Sequence, residues 1–422
     1  MPLVGGARLP LAFIGGGLIA FAAALAWQAT RPTLLLTPYL HPHVVALAHL
    51  WLPGFLLSVT IGAFYQLMPV VTGAPLRASD RGLWLHLVAH LAGVSAMVVG
   101  FTRGRYDWVG VGGLFVSAGV LYLGVVTWRT FARAAKRDAP AWSFPLAAGW
   151  LAATVIAGVL LAFHKRHPFL PLSAADLLKA HAHLGLAGFF LTLLQGVTFQ
   201  LVPMFTMGER RKPRLVWAGL IATQCGQIAL APALTWGWTW AGWMGAALLT
   251  GGVVCSGVAL VATLGARRRR RLEPGLLAFM IGAVLLGVAL ATGLTLRAID
   301  GVWPQVVTSY GLVIVPGALS LMVLGMGCKI VPFLVWMRAY GPKVGKEPVP
   351  LATALASRKF EYSWLAAHMV GLAVLIVAVI AANAFLAGAG AWLLAAGGLV
   401  LLINFAGVFA HLRTTKRKTI SL

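Results

Sequence analysis

About twelve stretches of this 422-residue chain stay apolar for long enough to cross a lipid bilayer. A hydrocarbon core ~30 Å thick takes about 20 residues of helix. Inside it no water is present to satisfy backbone N–H and C=O groups, so each crossing must pair them within its own segment, which favours the α-helix. The stretches fall at roughly 9–29, 44–73, 82–101, 107–132, 143–163, 175–206, 214–234, 238–265, 275–297, 304–337, 360–386 and 389–412. Hydrophobic residues make up 60% of the chain and charged residues only 10%, which sets it apart from soluble proteins. The fold class is therefore all-α: a polytopic membrane protein, read as one membrane domain over 1–422.

A formal charge of +24 raises the question of nucleic acid. The placement of the charge rejects it, because the basic residues lie between the apolar stretches, where topology signals belong. Alternate connections carry most of them, including Arg129, Arg133, Lys136, Arg137, Arg210 to Arg214, Arg338, Lys343, Arg358 and Lys416 to Lys418. The opposite side receives only Arg31, Arg103, Arg105, Lys165, Arg166 and Arg297. By the positive-inside rule the rich side is cytoplasmic, with both termini there, in a bacterial-type inner membrane. The run Arg267 to Arg271 then anchors a loop at anionic lipid.

One passage occurs three times. HLWLPGFLLSVTIGAFYQLMPV from His49 aligns without a gap with HLGLAGFFLTLLQGVTFQLVPM from His183, at a constant offset of 134 residues (49 to 183, 69 to 203). Gly54 lies over Gly188, Gly62 over Gly196, Gln66 over Gln200 and Pro69 over Pro203. The third copy, PGALSLMVLGMGCKIVPF, keeps Gly317, Gly325 and Pro332, replaces the glutamine by Lys329 and the histidine by Leu312. Recurrence at this period marks an internally repeated architecture. Four spans in each of three units give the twelve, with units of approximately 1–137, 138–272 and 273–422. Lys329, near the inner end, is expected to snorkel to the headgroups.

The nine carboxylates lie in predicted loops or at helix ends, which argues against a carboxylate proton relay at the midplane. Cys225, Cys255 and Cys328 stand singly, with no spacing for zinc or disulfides and no CxxCH for a covalently attached haem.

Chemistry then falls to the histidines. An imidazole in an apolar helix must satisfy its ring nitrogens or coordinate something. His49 and His183 share a depth about two turns into their helices. Neutral imidazoles at matched depth can hold one haem iron from opposite faces. Gly54 and Gly188 beside them let a flat macrocycle or another helix come close. His181 points about 200° away from His183 around the helix. It serves a second haem or a copper, or a hydrogen bond at the helix entry. His86, His90 and His368 form a weaker set: AHLAG around His90 is similar to AHMVG around His368. A metal there competes with a structural hydrogen-bonding role. His41, His43, His164 and His167 fall in predicted outer loops, and His411 near the cytoplasmic exit.

Twelve spans in three four-helix units, with the His181–His183 pair followed by glycines and by Pro203 ahead of Phe205, resemble subunit I of the haem–copper oxidases. The run is also similar to the NnrS membrane proteins. The resemblance implies haem b on His49 and His183, with His181 as a further ligand, and copper as an additional cofactor. It implies electron transfer, or chemistry or response involving nitric oxide or oxygen, of the oxidase or nitric-oxide-reductase type. It also implies an electron donor such as a cytochrome at the outer face and a diatomic gas as ligand. The chain departs from the oxidases in carrying the pair in its second unit and in lacking the copper-site histidines, which leaves oxygen reduction open. Two other classes stay open: a membrane transporter, given prolines inside the helices, and a cofactor-free structural or assembly subunit of the same fold. Bound haem separates both from the first reading.

Overall fold

The computed structural model describes residues 8–269, 271–299 and 303–417. Arg270 of the arginine run, Asp300 and Lys418 lie outside them. Among the described residues twelve helices are long and apolar enough to cross a membrane. They are α1 (Arg8–Thr30), α2 (Pro42–Thr72), α3 (Asp80–Thr102), α4 (Tyr106–Phe131), α5 (Ala139–Arg166) and α6 (Ala174–Thr206). They continue with α7 (Pro213–Trp236), α8 (Thr239–Gly265), α9 (Pro274–Ala298), α10 (Pro304–Ala339), α11 (Arg358–Ile380) and α12 (Ala384–Arg417). No strand occurs among the described residues.

Local chemistry sets the ends. Ser79, Asp138 and Ser173 accept backbone N–H groups in the first turns of α3, α5 and α6, satisfying donors that the helix leaves over. Proline opens α2, α7, α9 and α10, where its missing N–H costs nothing. Two boundaries differ from expectation. The sequence predicts spans at 360–386 and 389–412, but α11 stops at Ile380 and α12 begins at Ala384. Ala382 takes a left-handed φ of 49°, and Asn383 Oδ1 accepts the Leu386 N–H at 3.0 Å to open α12. Apolar residues on both sides of this tight turn hide it from a hydropathy count.

The three repeat-bearing helices share one irregularity. α2, α6 and α10 each widen into a π-helical segment, at Leu50–Leu57, Leu184–Leu191 and Val313–Leu319. Pro53 and Pro316 occupy equivalent places in the first and third, where a proline removes one helical hydrogen bond and crowds the preceding turn. Ser58 and Ser320 then donate their hydroxyls to carbonyls five residues back, Pro53 O at 3.4 Å and Val315 O at 2.7 Å. Ala187 stands in the proline's place in α6, yet the widening persists. Proline alone is therefore not its cause.

Two compact units form. One comprises residues 1–63 with 273–422, the other residues 64–272. In the first, α1 lies close on α2: a Cβ at Gly62 would meet Pro10 O at 2.6 Å. Lipid offers helices no hydrophobic drive to associate, so close packing through small residues takes its place. One such contact occurs three times. Gly93 faces Gly112 between α3 and α4, Gly226 faces Gly245 between α7 and α8, and Gly371 faces Gly390 between α11 and α12. In every pair a Cβ on either glycine would come within 3.0 Å of the opposite backbone, and the partners are 19 residues apart each time (93 to 112, 226 to 245, 371 to 390). This register places His90, Thr223 and His368, each three residues before its glycine, in equivalent positions.

Candidate functional site

His49 closes the first, regular segment of α2, and His183 closes the corresponding segment of α6. The π-helical turn begins at the next residue in both. Each imidazole donates Nδ1–H to the carbonyl one turn back on its own helix: His49 to Val45 O and His183 to Lys179 O, both at 2.8 Å. A carbonyl can only accept, so the bond fixes the Nδ1–H tautomer and leaves the ring's lone pair on Nε2. Both rings are partly buried. The two histidines belong to different compact units.

His181 turns elsewhere, as its spacing predicts. Its Nδ1 reaches Thr154 O on α5 at 3.0 Å. The ring lies against the bare backbone of Gly158, where a Cβ would stand 2.8 Å from Cε1. The space beside Gly54 and Gly188 is taken by neighbouring helices. A Cβ at Gly188 would meet Trp150 at 3.0 Å, and one at Gly54 would meet Ala20 at 3.3 Å. Of the two roles expected for these glycines, helix approach is the one observed.

The weaker histidine set is engaged by protein groups. His86 Nδ1 and the Tyr65 hydroxyl are 2.7 Å apart, both buried, with the Tyr122 ring beside the imidazole. His86 and His90, one turn apart on α3, have ring centroids 6.2 Å apart and meet edge to face. His368 donates Nε2–H to Pro316 O at 2.7 Å, a carbonyl inside the π-helical segment of α10. Among the described residues no group of three or more His, Cys, Asp or Glu side chains is placed to hold a metal ion. A haem iron takes only one or two protein ligands and asks for no such group.

Two expectations about position change. His164 is not in a loop: it sits buried in the last turn of α5 and organises the turn that follows. Its Nδ1 accepts the Phe169 and Leu170 N–H groups, and its Nε2 donates to Leu172 O. His41 and His43 likewise belong to the start of α2, where His41 Nδ1 accepts the His43 N–H. Lys329 does not snorkel. Its ammonium pairs with Glu273, the residue before Pro274 of α9, and both side chains are largely buried. Arg358 at the start of α11 joins Glu273 at 3.2 Å, and Glu361 in the first turn of α11 is buried. Hydropathy reads these acids correctly as helix-end residues and misses that their side chains are covered.

Twelve apolar helices, with no strand among the described residues, define the class: an all-α, multi-pass membrane protein, embedded in a lipid bilayer. The chain has a fold like that of haem–copper oxidase subunit I. A solved structure of a heme-copper terminal oxidase dimer matches it with a TM-score of 0.62, over 98% of this chain and 83% of that chain, at 16% sequence identity. No family model matches the sequence. No curated protein matches it.

The donor set at His49 and His183 fits an axial haem ligand. A metal-bound imidazole commonly has its second nitrogen held by a carbonyl, which fixes the ring and raises its basicity. The glycines provide no open cradle, so the fit rests on the imidazoles.

Proposed function

We propose that this protein binds haem b in the membrane through Nε2 of His49 and of His183, and works in electron transfer or in nitric oxide or oxygen chemistry or response. The observation that carries the reading is the shared anchoring of the two rings. Two histidines at equivalent positions make the same 2.8 Å bond to the carbonyl four residues back, directly before the same helical widening. A buried histidine with only a structural role has no need to repeat tautomer, partner and register together. A haem held there would supply a one-electron centre. The Val45 and Lys179 carbonyls orient the rings. His181, with Nδ1 held by Thr154, is proposed as a further ligand. Copper is the less supported cofactor, because no three-ligand group stands among the described residues. We place His86, His90 and His368 in structural roles.

The fold of the terminal oxidase supports the reading at the level of architecture. The triple glycine contact and triple π-helical turn support three four-helix units near 1–137, 138–272 and 273–422. The distribution of Arg and Lys supports a bacterial-type inner membrane with both termini cytoplasmic. A cytochrome-like donor would dock at the outer face.

One observation favours a second reading, a cofactor-free structural subunit: α10 keeps the widened turn with Leu312 in place of histidine. A reduced-minus-oxidised spectrum with haem quantification separates the two. The first reading expects a b-type spectrum that His49→Ala and His183→Ala each diminish. A colourless protein from haem-replete cells would overturn haem binding and leave the subunit or transporter readings.

A further inference from the structure

The register set by the glycine pairs and the long helices shows where the second repeat departs from the other two. Gln195 on α6 stands where they carry Ile61 and Leu324. Gln227 on α7 stands over Val94 and Leu372, and Ser256 on α8 over Leu123 and Leu401. All six aliphatic side chains are buried core. Gln224 replaces Leu91 and Met369, and Thr223 replaces His90 and His368. Five polar side chains thus converge in one repeat at positions that are apolar or imidazole elsewhere.

Four of them form two hydrogen-bonded clusters that meet at the adjacent residues Thr223 and Gln224. Gln195 Nε2 donates to Thr223 Oγ1 at 2.9 Å and to Ser256 Oγ at 3.0 Å. Gln224 accepts from Trp150 Nε1 at 2.7 Å and donates to Thr192 Oγ1 at 3.0 Å. The Thr154 hydroxyl bonds Trp150 O, and Thr154 O holds His181, so the group continues to the helix entry at His181. Three buried atoms are left over. Gln195 Oε1 and both amide atoms of Gln227 have no partner among the described residues, and Gln227 is 0% exposed. Gln227 lies one turn from Thr223 and Gln224 on the same side of α7, about 4.5–6 Å along the axis.

We propose that this group is a hydration site: it holds ordered water between α6, α7 and α8, hydrogen-bonded to Gln227 and to Gln195 Oε1. A buried carboxamide with neither end paired is costly in an apolar interior, and native structures pair such groups with protein or with ordered water. The open valences comprise two acceptor oxygens and one donor nitrogen. Water both donates and accepts, and settles where two to four polar partners meet. The site has no charged side chain among these five, so its guest is neutral. The first and third repeats have no counterpart, and this inference stands whether or not haem binds.

The test is a cryo-EM map of the full chain in lipid nanodiscs, at a resolution that shows ordered water, beside thermal melting of wild type and Gln227→Leu. We expect density at hydrogen-bonding distance from the Gln227 amide, absent in Q227L, and a lower melting midpoint for Q227L as the water loses its anchor. An amide with no density beside it, or one turned onto a protein group, would overturn the proposal. A higher midpoint for Q227L would overturn it too, because replacing a dry, unpaired amide by leucine stabilises. If Q227L fails to accumulate, the wild-type map alone decides.

Discussion

Glu273→Gln is the perturbation whose cost the structure specifies best. Glu273 ties three helices: it precedes α9, meets the Lys329 ammonium on α10 and reaches Arg358 on α11. The Arg358 side chain is 63% exposed, so that bond contributes only about 0–1 kcal/mol. The Lys329 and Glu273 side chains are 14% and 11% exposed. Removing one member of a buried pair costs about 3–5 kcal/mol, because the other charge stays behind in a poor solvent. Glu361 also lies within electrostatic reach of Lys329, which sets the cost at the lower end of that range. We therefore expect about 3 kcal/mol, read from unfolding in mixed SDS micelles by tryptophan fluorescence. Replacing both charges, Glu273→Gln with Lys329→Met, should recover most of it, since a buried pair is worth little against an apolar substitute of similar size. An E273Q protein within about 1 kcal/mol of wild type would refute the reasoning. It would return Lys329 to the headgroups, where the sequence alone had put it. A double variant as unstable as E273Q would locate the cost elsewhere than in the stranded lysine.

Further expectations follow from other contacts. Gly226→Ala sets a methyl 2.8 Å from Leu249 N and 2.9 Å from Gly245 O, both backbone, so α7 and α8 must part. Melting should show a loss of about 1–3 kcal/mol, whereas Gly251→Ala, with nothing nearby, should be silent. Tyr65→Phe removes the phenol from buried His86 and should cost about 1–3 kcal/mol, against little for the exposed, 3.4 Å bond of Tyr122. Ser320→Ala should cost about 1 kcal/mol by freeing Val315 O inside the widened turn of α10. Lys346→Cys should react with an impermeant maleimide only from the cytoplasmic side; labelling from outside would reverse the proposed orientation.

The helices were legible because crossing a bilayer demands length and apolarity, and both are visible residue by residue. Ten of the twelve spans begin and end within a few residues of expectation. The exceptions, the end of α11 and the start of α12, turn on Ala382 and Asn383, which hydropathy does not mark. The matched positions of His49 and His183 were legible as a repeat. The carbonyl bonds that orient them were not, because every helical residue has a carbonyl four places back and few side chains use it. The Lys329–Glu273 pair was hidden for another reason: the partners are 56 positions apart (273 to 329) and meet only when α9 packs on α10. The polar group around Gln195 had a signal in the sequence, glutamines inside apolar spans, but its meaning needed the glycine register.

That register also bears on how the histidines should be read. The widened turn occurs after His49 and His183, and again after Leu312, which binds nothing. It occurs with proline in α2 and α10 and without it in α6. Neither an iron ligand nor a proline is therefore required to produce it, and it belongs to the scaffold. His368 shows what the scaffold asks of an imidazole in that neighbourhood, a bond to the π-segment carbonyl of Pro316. His49 and His183 do something else: they bond backward to regular helix and so commit Nδ1 rather than Nε2. Two imidazoles spend their proton on carbonyls that a π-helical turn has not disturbed. That choice leaves Nε2 as the nitrogen that the proposed metal ligation would use. Exchanging His183 for glutamine, which can still donate to a carbonyl but is a poor iron ligand, separates ligation from a structural role: a structural histidine keeps its melting midpoint and whatever colour the protein has, and a ligand loses the haem.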